Sequence, residues 1–422
     1  MNELEYPIMY NPALYQIPKI NAIEDITTII THNFTPPLPL LSLGFNTVIY
    51  DTKDKMSELE NYNKRELNLV NRIDVRIHGY NLSLANLADK MFVNEYRVFT
   101  RAFYKLWEII TIFNLASTKT INVAGIAEAP ASFQQAILYY RKMYGIHNNE
   151  DHYHIISLDE PESKSTPKID KGFIEKYKKN VTIHQTDGKI DNGDVLKKVV
   201  RDNYVRNFKD NYANLITADG GAPTFNESRQ EQEMFSLILG EATLALRCQA
   251  EGGHFVLKTF ENFTLPTCQL IAILKSCYQN VFIHKPLTSH DTNSERYVVC
   301  HRFKYKQTDK ELVKLIGSLE DTLINYGKMI TSERHYVYIT DLGIKLDDAL
   351  IKILRESGEE VRDLQVSTME NMVSFMHHSK GNAELKKEYD KQVAYTELWS
   401  SIFFQKQDKN LLEQLLKAKL AK

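Results

Sequence analysis

The sequence predicts an α/β fold in which a mostly parallel sheet carries helices on both faces. Between residues 86 and 305, short apolar runs alternate with segments of helical periodicity, the pattern of a doubly wound sheet. The last two apolar runs are separated by polar residues without helical periodicity, so we expect an antiparallel hairpin at the sheet edge. The seven runs that we predict as strands are Thr120–Val123, His154–Leu158, Val181–His184, Leu215–Ala218, Phe255–Leu257, Val281–His284 and Tyr297–Phe303.

The regions on either side of this predicted domain have a different character. Residues 1–85 form an N-terminal extension, with a proline-rich turn at residues 36–39 and a predicted strand at Thr47–Tyr50. Residues 306–422 show no succession of strands and form a helical C-terminal region. We expect its helices to pack against the domain, with docking of a protein partner or a second copy as the alternative. Leucines and isoleucines at helical spacing support this, at Leu312, Leu315, Ile316 and Leu319 and at Leu411, Leu412, Leu415 and Leu416.

Composition limits the classes of function. The 422 residues carry a formal net charge of −2 and are 43% hydrophobic, so a large core is available and any positive field must be a local patch. The four cysteines form no CxxC pair, which favours reduced thiols in a cytosolic protein without a structural metal. The first residues lack the basic start and apolar run of a signal peptide, and no run is long enough for a membrane helix. We therefore expect a soluble, cytoplasmic protein.

The segment Thr120–Tyr140 has the form of a ligand-binding turn. It runs from a strand through small residues into an amphipathic helix, which brings backbone N–H groups to the carboxyl edge of the sheet. Structural turns of this kind are also common, so the segment alone is a weak signal. The predicted contacts to a bound cofactor come from the turn residues Glu128, Ala129, Pro130, Ala131, Ser132 and Phe133.

Three acids strengthen the prediction of a nucleoside-like ligand. Asp159, Asp187 and Asp219 each follow a predicted strand at its carboxyl end. Ligands of open α/β sheets bind outside these strand ends, where an acid can accept from ribose hydroxyls or from an adenine amino group. Each acid alone would more often cap a helix or form a turn.

Two lysines and two acids form the more specific candidate for chemistry. They are far apart in sequence, but three of them lie at or next to predicted strand ends and one lies on a predicted helix. A lone lysine at a strand end is usually a solvated terminus, so the combination carries the signal. The four residues are Lys105, Asp219, Lys258 and Glu295.

A basic stripe is predicted beside this candidate site. Arg97 and Arg101 precede Lys105 at successive four-residue steps, which would place the three side chains on one face of a helix. We predict that the two arginines contact RNA. The lysine-rich segment Pro161–Asn180 is either a solvated loop or a second RNA-facing segment.

With these motifs, the sequence resembles the FtsJ/RrmJ family of ribose 2′-O-methyltransferases, which includes cellular and viral mRNA cap enzymes. The family signature is a Lys-Asp-Lys-Glu tetrad, and Lys105, Asp219, Lys258 and Glu295 match it in their local contexts. In the last motif Lys285, Pro286, Ser289 and Tyr297 match as well. The resemblance covers about residues 90 to 305.

The resemblance implies a Rossmann-like, seven-stranded methyltransferase domain that uses S-adenosylmethionine. It further implies RNA as partner, capped viral mRNA as substrate and the host cytoplasm as location. Lys258 would assist loss of the proton from a ribose hydroxyl, either as a base with a depressed pKa or as a cation that stabilises the alkoxide. Asp219 and Glu295 would orient Lys258, and Lys105 would support the charge distribution.

One part of the sequence departs from the family pattern. The family's cofactor loop reads D-x-G-x-x-P-G-G, whereas this chain has Gly125, Ala127, Ala131 and Ser132 at the Asp and the three Gly positions. Glycine in such loops permits positive φ and a close approach of the backbone to the ligand. Two alternatives therefore stay open. The chain is a relative that binds RNA or protein without catalysis, or it has another Rossmann function, although GxGxxG is absent from this turn.

Overall fold

The structure is a computed structural model of the full chain. It describes residues 13–23, 26–33, 40–41, 43–57, 71–75, 83–160, 166–184, 192–208, 211–225, 229–330, 336–378, 382–405 and 411–420. Among these residues, no helix combines the length and the apolar character needed to cross a membrane.

Within the described residues, eight strands form the central sheet, in the order β1-β8-β9-β7-β6-β3-β4-β5. Strands β3 to β7 are parallel to one another, whereas β9 is antiparallel to β7 and β8, and β1 is antiparallel to β8. The chain reverses its direction of strand addition between β3 and β6, which creates a crevice at their carboxyl ends. The strands are β1 Ala13–Gln16, β3 Asn122–Ile126, β4 His152–Ile156, β5 Val181–Ile183, β6 Ala213–Ala218, β7 Gln249–Thr259, β8 Tyr278–Lys285 and β9 Arg296–Phe303.

Helices cover both faces of this sheet. Successive residues of the strands enter opposite cores, as Val123 and Ala124 of β3 do, so both faces are buried. Two further strands, β2 Ile29–His32 and β10 Val337–Asp341, pair with each other in a separate small sheet. The helices are α1 Leu43–Ser57, α2 Leu84–Met91, α3 Ala102–Phe113, α4 Ser132–Met143, α5 Lys171–Tyr177, α6 Lys198–Val205, α7 Gln230–Cys248, α8 Leu265–Cys277, α9 Lys310–Met329, α10 Asp348–His378, α11 Asn382–Phe403 and α12 Leu411–Leu420.

The predicted α/β fold class is confirmed, including all seven strands and the antiparallel pairing of the last two. The edge position of the hairpin is different, because β1 from the N-terminal extension pairs with β8 and adds an eighth strand outside it. The predicted strand Thr47–Tyr50 is wrong, since these residues lie in α1, which packs against α10. The C-terminal region is helical as expected, but it also contributes β10 to the small sheet.

The two flanking regions hold the loop between β8 and β9 in place. Arg72 of the N-terminal extension makes an ion pair with Asp291 at 2.6 Å, and the Asp291 backbone N–H donates to Asn71. From the C-terminal helices, Gln365 donates to the carbonyl of Thr292 at 3.1 Å. A further role of the C-terminal helices in docking a partner or a second copy stays a prediction.

The buried carboxyl of Glu108 connects three segments of the chain. Its Oε1 lies 3.0 Å from the backbone N of Leu287 and 3.3 Å from Nε2 of His284, at the end of β8. Its Oε2 accepts a hydrogen bond of 2.9 Å from the indole N–H of Trp399 on α11. Because Glu108 lies on α3, it fixes this helix against both the sheet and the C-terminal region.

We expect Trp399→Phe to lower the free energy of unfolding by about 2 kcal/mol, because a buried carboxyl oxygen loses its donor. Urea denaturation of the full chain measures this change. Thr396→Val on the same helix is the matched control, since the Thr396 hydroxyl is buried and has no hydrogen-bond partner among the described residues. This control should change stability by less than about 0.5 kcal/mol. Equal effects of the two substitutions would contradict the role of the indole–Glu108 bond.

Candidate active site

The four residues of the predicted tetrad come together at the carboxyl edge of the sheet. Lys105 lies on α3, Asp219 follows β6, Lys258 lies near the end of β7 and Glu295 directly precedes β9. The Lys105 ammonium is 2.5 Å from Glu295 Oε1, and the Lys258 ammonium is 3.3 Å from Asp219 Oδ1. Lys258 Nζ also donates to the backbone carbonyl of Asp219 at 2.8 Å. The four side chains are 12 to 17% exposed, so solvent and ligands can reach them.

A tyrosine that the sequence motif contained without an assigned role connects the two ion pairs. The Tyr297 hydroxyl lies 2.9 Å from Glu295 Oε1 and 3.2 Å from Asp219 Oδ1, so it can donate to either carboxylate. Tyr297 is opposite Lys258 in the β7–β9 register, which explains why it lies under the cluster. Tyr297 therefore helps to orient both acids.

Electrostatics keep the cluster charged. Burial alone would lower the pKa of Lys258, but the nearby acids Asp219, Glu295 and Glu241 outweigh it, and the net effect raises the pKa. For Glu295, burial favours the neutral acid, yet Lys105 and Lys258 together lower its pKa to about 2. The site thus contains a lysine held as an ammonium near the ionised carboxylate of Glu295, which favours the electrostatic role of Lys258 over the role of a base.

Glu241 on α7 is a further acid beside this cluster, and its role was not predicted from the sequence. Its Oε1 accepts a hydrogen bond of 2.9 Å from the backbone N–H of Gly220, directly after Asp219. A Cβ atom at Gly220 would collide with this oxygen, so any other residue there would displace the Glu241 carboxyl. Burial raises the pKa of Glu241 to about 8, against the opposing effect of Lys258. The only signal in the sequence is an acid within an apolar helix.

Lys285 positions the backbone of Glu295. The ammonium group is buried and donates to the carbonyls of Asn293 and Glu295 at 2.8 and 3.0 Å, and to the Asn293 side chain at 3.0 Å. Burial lowers the pKa of Lys285 to about 7. Since its donors are directed at the loop, Lys285 is a positioning residue.

A cavity of about 670 Å³ opens beside the tetrad. Asp219 and Lys258 line it, and the loops after β3 and β4 contribute Ala127, Ala129 and Ser157. Residues outside the central sheet also line it, namely Tyr326 of α9 and Val337 and Tyr338 of β10. The flanking C-terminal region therefore helps to form the cavity.

The glycine-poor loop keeps the backbone conformation that glycine usually provides. Ala127 and Ala131 have φ values of 56° and 83°, in the left-handed region. Ser132 instead begins α4, and its hydroxyl is 2.7 Å from that of Thr100. The predicted loop residues lie together, since Glu128, Ala129, Pro130, Ser132 and Phe133 line a small cavity and Ala131 is fully buried beside them.

The other two predicted cofactor contacts, Asp159 and Asp187, are not among the described residues that line the large cavity. Asp159 does not line the large cavity, whereas its neighbours Leu158 and Glu160 do, so its role stays a prediction. Asp187 lies outside the described residues.

The predicted arginine stripe on one helix is wrong, because α3 begins at Ala102. The backbone at Arg97 is not helical, and its carbonyl accepts a hydrogen bond of 2.9 Å from the side chain of Gln135. Arg97 is exposed, while Arg101 is partly buried near Glu295 and Asp74, where burial lowers its pKa.

Residues 98–303 match the model of the FtsJ-like methyltransferase family. The chain is 36% identical over 148 residues to Cap-specific mRNA (nucleoside-2'-O-)-methyltransferase 1 of Caenorhabditis elegans, and 32% identical over 183 residues to the Mus musculus protein of that name. These matches cover 33% and 41% of this chain but 16% and 21% of the relatives. The chain therefore matches only about a fifth of the length of these relatives.

A solved structure of a ribosomal RNA methyltransferase from Plasmodium falciparum is 22% identical to this chain. The match covers 50% of this chain and 100% of the other, with a TM-score of 0.35. This score is too low to bear on function.

We expect the stability difference between wild type and Glu241→Gln to depend on pH. Between about 4.3, the pKa of an unfolded glutamate, and about 8, the folded chain retains a proton that the unfolded chain has released. Wild-type stability therefore falls as pH rises through this window, by about 1.4 kcal/mol per pH unit. Glutamine does not titrate, so from pH 5 to pH 7 the variant should gain about 2 to 3 kcal/mol on wild type. Urea denaturation at both pH values measures this, and an unchanged difference would contradict it.

A second pair of variants tests the strain in the loop. Ala131→Gly and Ala136→Gly both remove a fully buried methyl group, but Ala131 is left-handed and Ala136 lies within α4. Glycine relieves strain at the first position and weakens the helix at the second, so Ala131→Gly should be the more stable variant by about 2 kcal/mol. Thermal and urea denaturation measure the two, and equal losses would exclude strain at Ala131.

Proposed function

Given that residues 98–303 match the FtsJ-like methyltransferase family, we propose that this chain transfers a methyl group from S-adenosylmethionine to a ribose 2′-hydroxyl of RNA. The observation that carries the proposal is the convergence of Lys105, Asp219, Lys258 and Glu295 in one ion-pair cluster at the edge of a cavity. None of these residues alone indicates catalysis. Together, beside the carboxyl ends of β6 and β7, they form the kind of charged cluster that a catalytic site in an α/β sheet needs.

The chemistry of the proposed reaction fits the cluster. A sulfonium cofactor supplies an activated methyl group, and the protein must align a hydroxyl and stabilise the charge that develops on its oxygen. The pKa of Lys258 is raised, so Lys258 would act as an ammonium hydrogen-bond donor to this oxygen. Asp219 holds Lys258, and Lys105 neutralises Glu295 so that the acids do not repel the alkoxide.

The residues around the cavity fit such a cofactor. The loop Glu128–Phe133 follows β3 at the reversal point of the sheet, where nucleotide-like ligands bind. Its left-handed alanines retain the turn that brings backbone groups near the ligand. The cavity of about 670 Å³ extends from this loop to Lys258, so one ligand can contact both.

The substrate is proposed to be capped mRNA. The relatives named above are cap-specific enzymes, and Arg101 lies close enough to Glu295 to interact with it electrostatically, so it could pair with a phosphate beside the tetrad. A viral mRNA and the cytoplasm of the host cell are part of this proposal, because the overall layout of the chain resembles an FtsJ-like methyltransferase of a large cytoplasmic DNA virus.

A second candidate function is that of an RNA- or protein-binding module without catalysis. It is favoured by the β-carbons at Ala127, Ala131 and Ser132, which take space that glycine would leave open to a ligand. Binding of S-adenosylmethionine to the purified chain separates the two functions, because a module that has lost its cofactor would bind none.

Lys258→Met should reduce methyl transfer at least a hundredfold, because it removes the ammonium group and keeps the aliphatic part of the side chain. Transfer of a labelled methyl group to capped and uncapped RNA measures the rate. Lys304→Met is the control, since Lys304 lies after β9 at the opposite end of the sheet, and its rate should equal that of wild type. An unchanged rate for Lys258→Met would remove Lys258 from the mechanism.

Arg101→Gln should weaken RNA binding about tenfold at low salt and reduce the slope of affinity against salt concentration, because one phosphate contact is lost. Arg97→Gln removes the same charge from a more exposed position further from α3 and should have a smaller effect on RNA binding. Fluorescence anisotropy with a capped oligonucleotide at several salt concentrations compares them. Equal effects would show that only the total charge of the chain matters.

A further inference from the structure

A second, small cavity lies beside the tetrad. Its volume is about 50 Å³, more than the roughly 10 to 15 Å³ that one water molecule needs. Ala127, Ala129 and Asp219 line both this cavity and the large one, so the small cavity is a side pocket of the proposed cofactor site.

The carboxyl of Glu128 is the unusual group in this side pocket. Glu128 is 3% exposed, and its Oε1 has no hydrogen-bond partner among the described residues. Gln134 and Thr217 lie close enough to hydrogen-bond to the carboxyl group. A buried carboxyl with an unused oxygen is costly, and a donor group of a ligand in the adjoining pocket would satisfy it.

The charges around the side pocket indicate the charge of the ligand group that fits there. Asp219 lines the pocket as well, and Glu241 is the other acid that acts on Glu128. Among its described lining residues there is no lysine, arginine or histidine. Asp219 pairs with Lys258 outside this lining, whereas Glu128 has no ion pair among the described residues, so a small space beside both carboxyls fits a cationic ligand group with several N–H donors.

Gly125, where the family pattern has an acid, cannot supply such a carboxyl. A Cβ atom at this position would lie 2.4 Å from Nε2 of Gln134, which in turn donates to the hydroxyl of Thr217. Gln134 thus occupies the space above Gly125, and Glu128 is the acid that remains in this loop.

We propose that Glu128 binds the α-ammonium group of the methionine part of S-adenosylmethionine in the side pocket that it shares with Asp219. This inference rests on the proposed function and assigns one atom group of the cofactor to one side chain. Glu128 is therefore a specificity-determining residue for ligands that carry the amino-acid end.

The proposal includes a change of protonation. Burial raises the pKa of Glu128 well above its usual range, and Asp219 and Glu241 raise it further, while Thr217 and Gln134 oppose this. The free protein therefore favours the protonated form of Glu128 more than an exposed glutamate would. When the ammonium group enters, the pair is favourable only with the carboxylate, so the carboxyl proton passes to the buffer.

Calorimetric titration of the full chain with three ligands tests the assignment. S-adenosylmethionine carries the sulfonium and the amino-acid end with its ammonium and carboxylate groups, S-adenosylhomocysteine keeps the amino-acid end but has a neutral thioether, and 5′-methylthioadenosine has a thioether and lacks the amino-acid end. Glu128→Gln should weaken the first two about tenfold or more and leave 5′-methylthioadenosine unchanged. Wild type should release more protons than the variant with each of the first two, measured in two buffers of different ionisation enthalpy, because the pKa of Glu128 is raised in the free protein.

Each other outcome has a distinct meaning. Equal weakening of all three ligands would show that Glu128 only supports the loop, and a loss confined to S-adenosylmethionine would assign Glu128 to the sulfonium group. Either result, or unchanged binding, overturns the inference while the proposed function stands. If wild type binds none of the three, the proposed function and the inference both fail.

Discussion

The position of α3 is the constraint on which the candidate active site depends. Glu108 and Lys105 lie one helical turn apart on this helix, and Glu108 binds the end of β8, the following loop and α11. Because these contacts are buried, α3 cannot shift without breaking several hydrogen bonds at once. Lys105 therefore reaches Glu295 across 190 residues of sequence, and the flanking regions of the chain contribute directly to the geometry of the tetrad.

The charge balance of the site follows from this arrangement. Each lysine of the tetrad lies against an acid and each acid lies near a lysine, so the four groups stabilise one another's charges. Glu241 and Glu128 make no ion pair among the described residues, and burial raises the pKa of both, although Lys258 opposes the shift at Glu241. The site thus combines a charged cluster, suited to stabilising an alkoxide, with two buried acids of raised pKa, one beside the Gly220 turn and one in the side pocket.

The sequence was sufficient to predict seven strands of the sheet from local apolar patterns, and the tetrad from its resemblance to the family signature. It was insufficient where contacts between distant segments of the chain determine the local structure. The β-branched run at Thr47–Tyr50 has the composition of a strand, yet packing of α1 against α10 makes it helical. Likewise, β1 is recognised only through its pairing with β8, and the role of Glu241 only through its contact with Gly220. The prediction of an arginine stripe on one helix was wrong because the backbone at Arg97 is not helical. The Arg97 carbonyl instead accepts a hydrogen bond from the side chain of Gln135.

The cofactor loop shows how contacts can replace glycine. Two alanines in left-handed geometry cost on the order of 1 kcal/mol each, a small part of the 5 to 15 kcal/mol that stabilises a typical domain. The Ala131 N–H donates to the Glu128 carbonyl, and the Ser132 hydroxyl contacts Thr100, so neighbouring bonds maintain the turn. The substitutions therefore preserve the shape of the loop and reduce only its free space. What that remaining space accepts is decided by the two acids that line it, Asp219, which Lys258 holds from outside the pocket, and Glu128, whose Oε1 has no hydrogen-bond partner among the described residues.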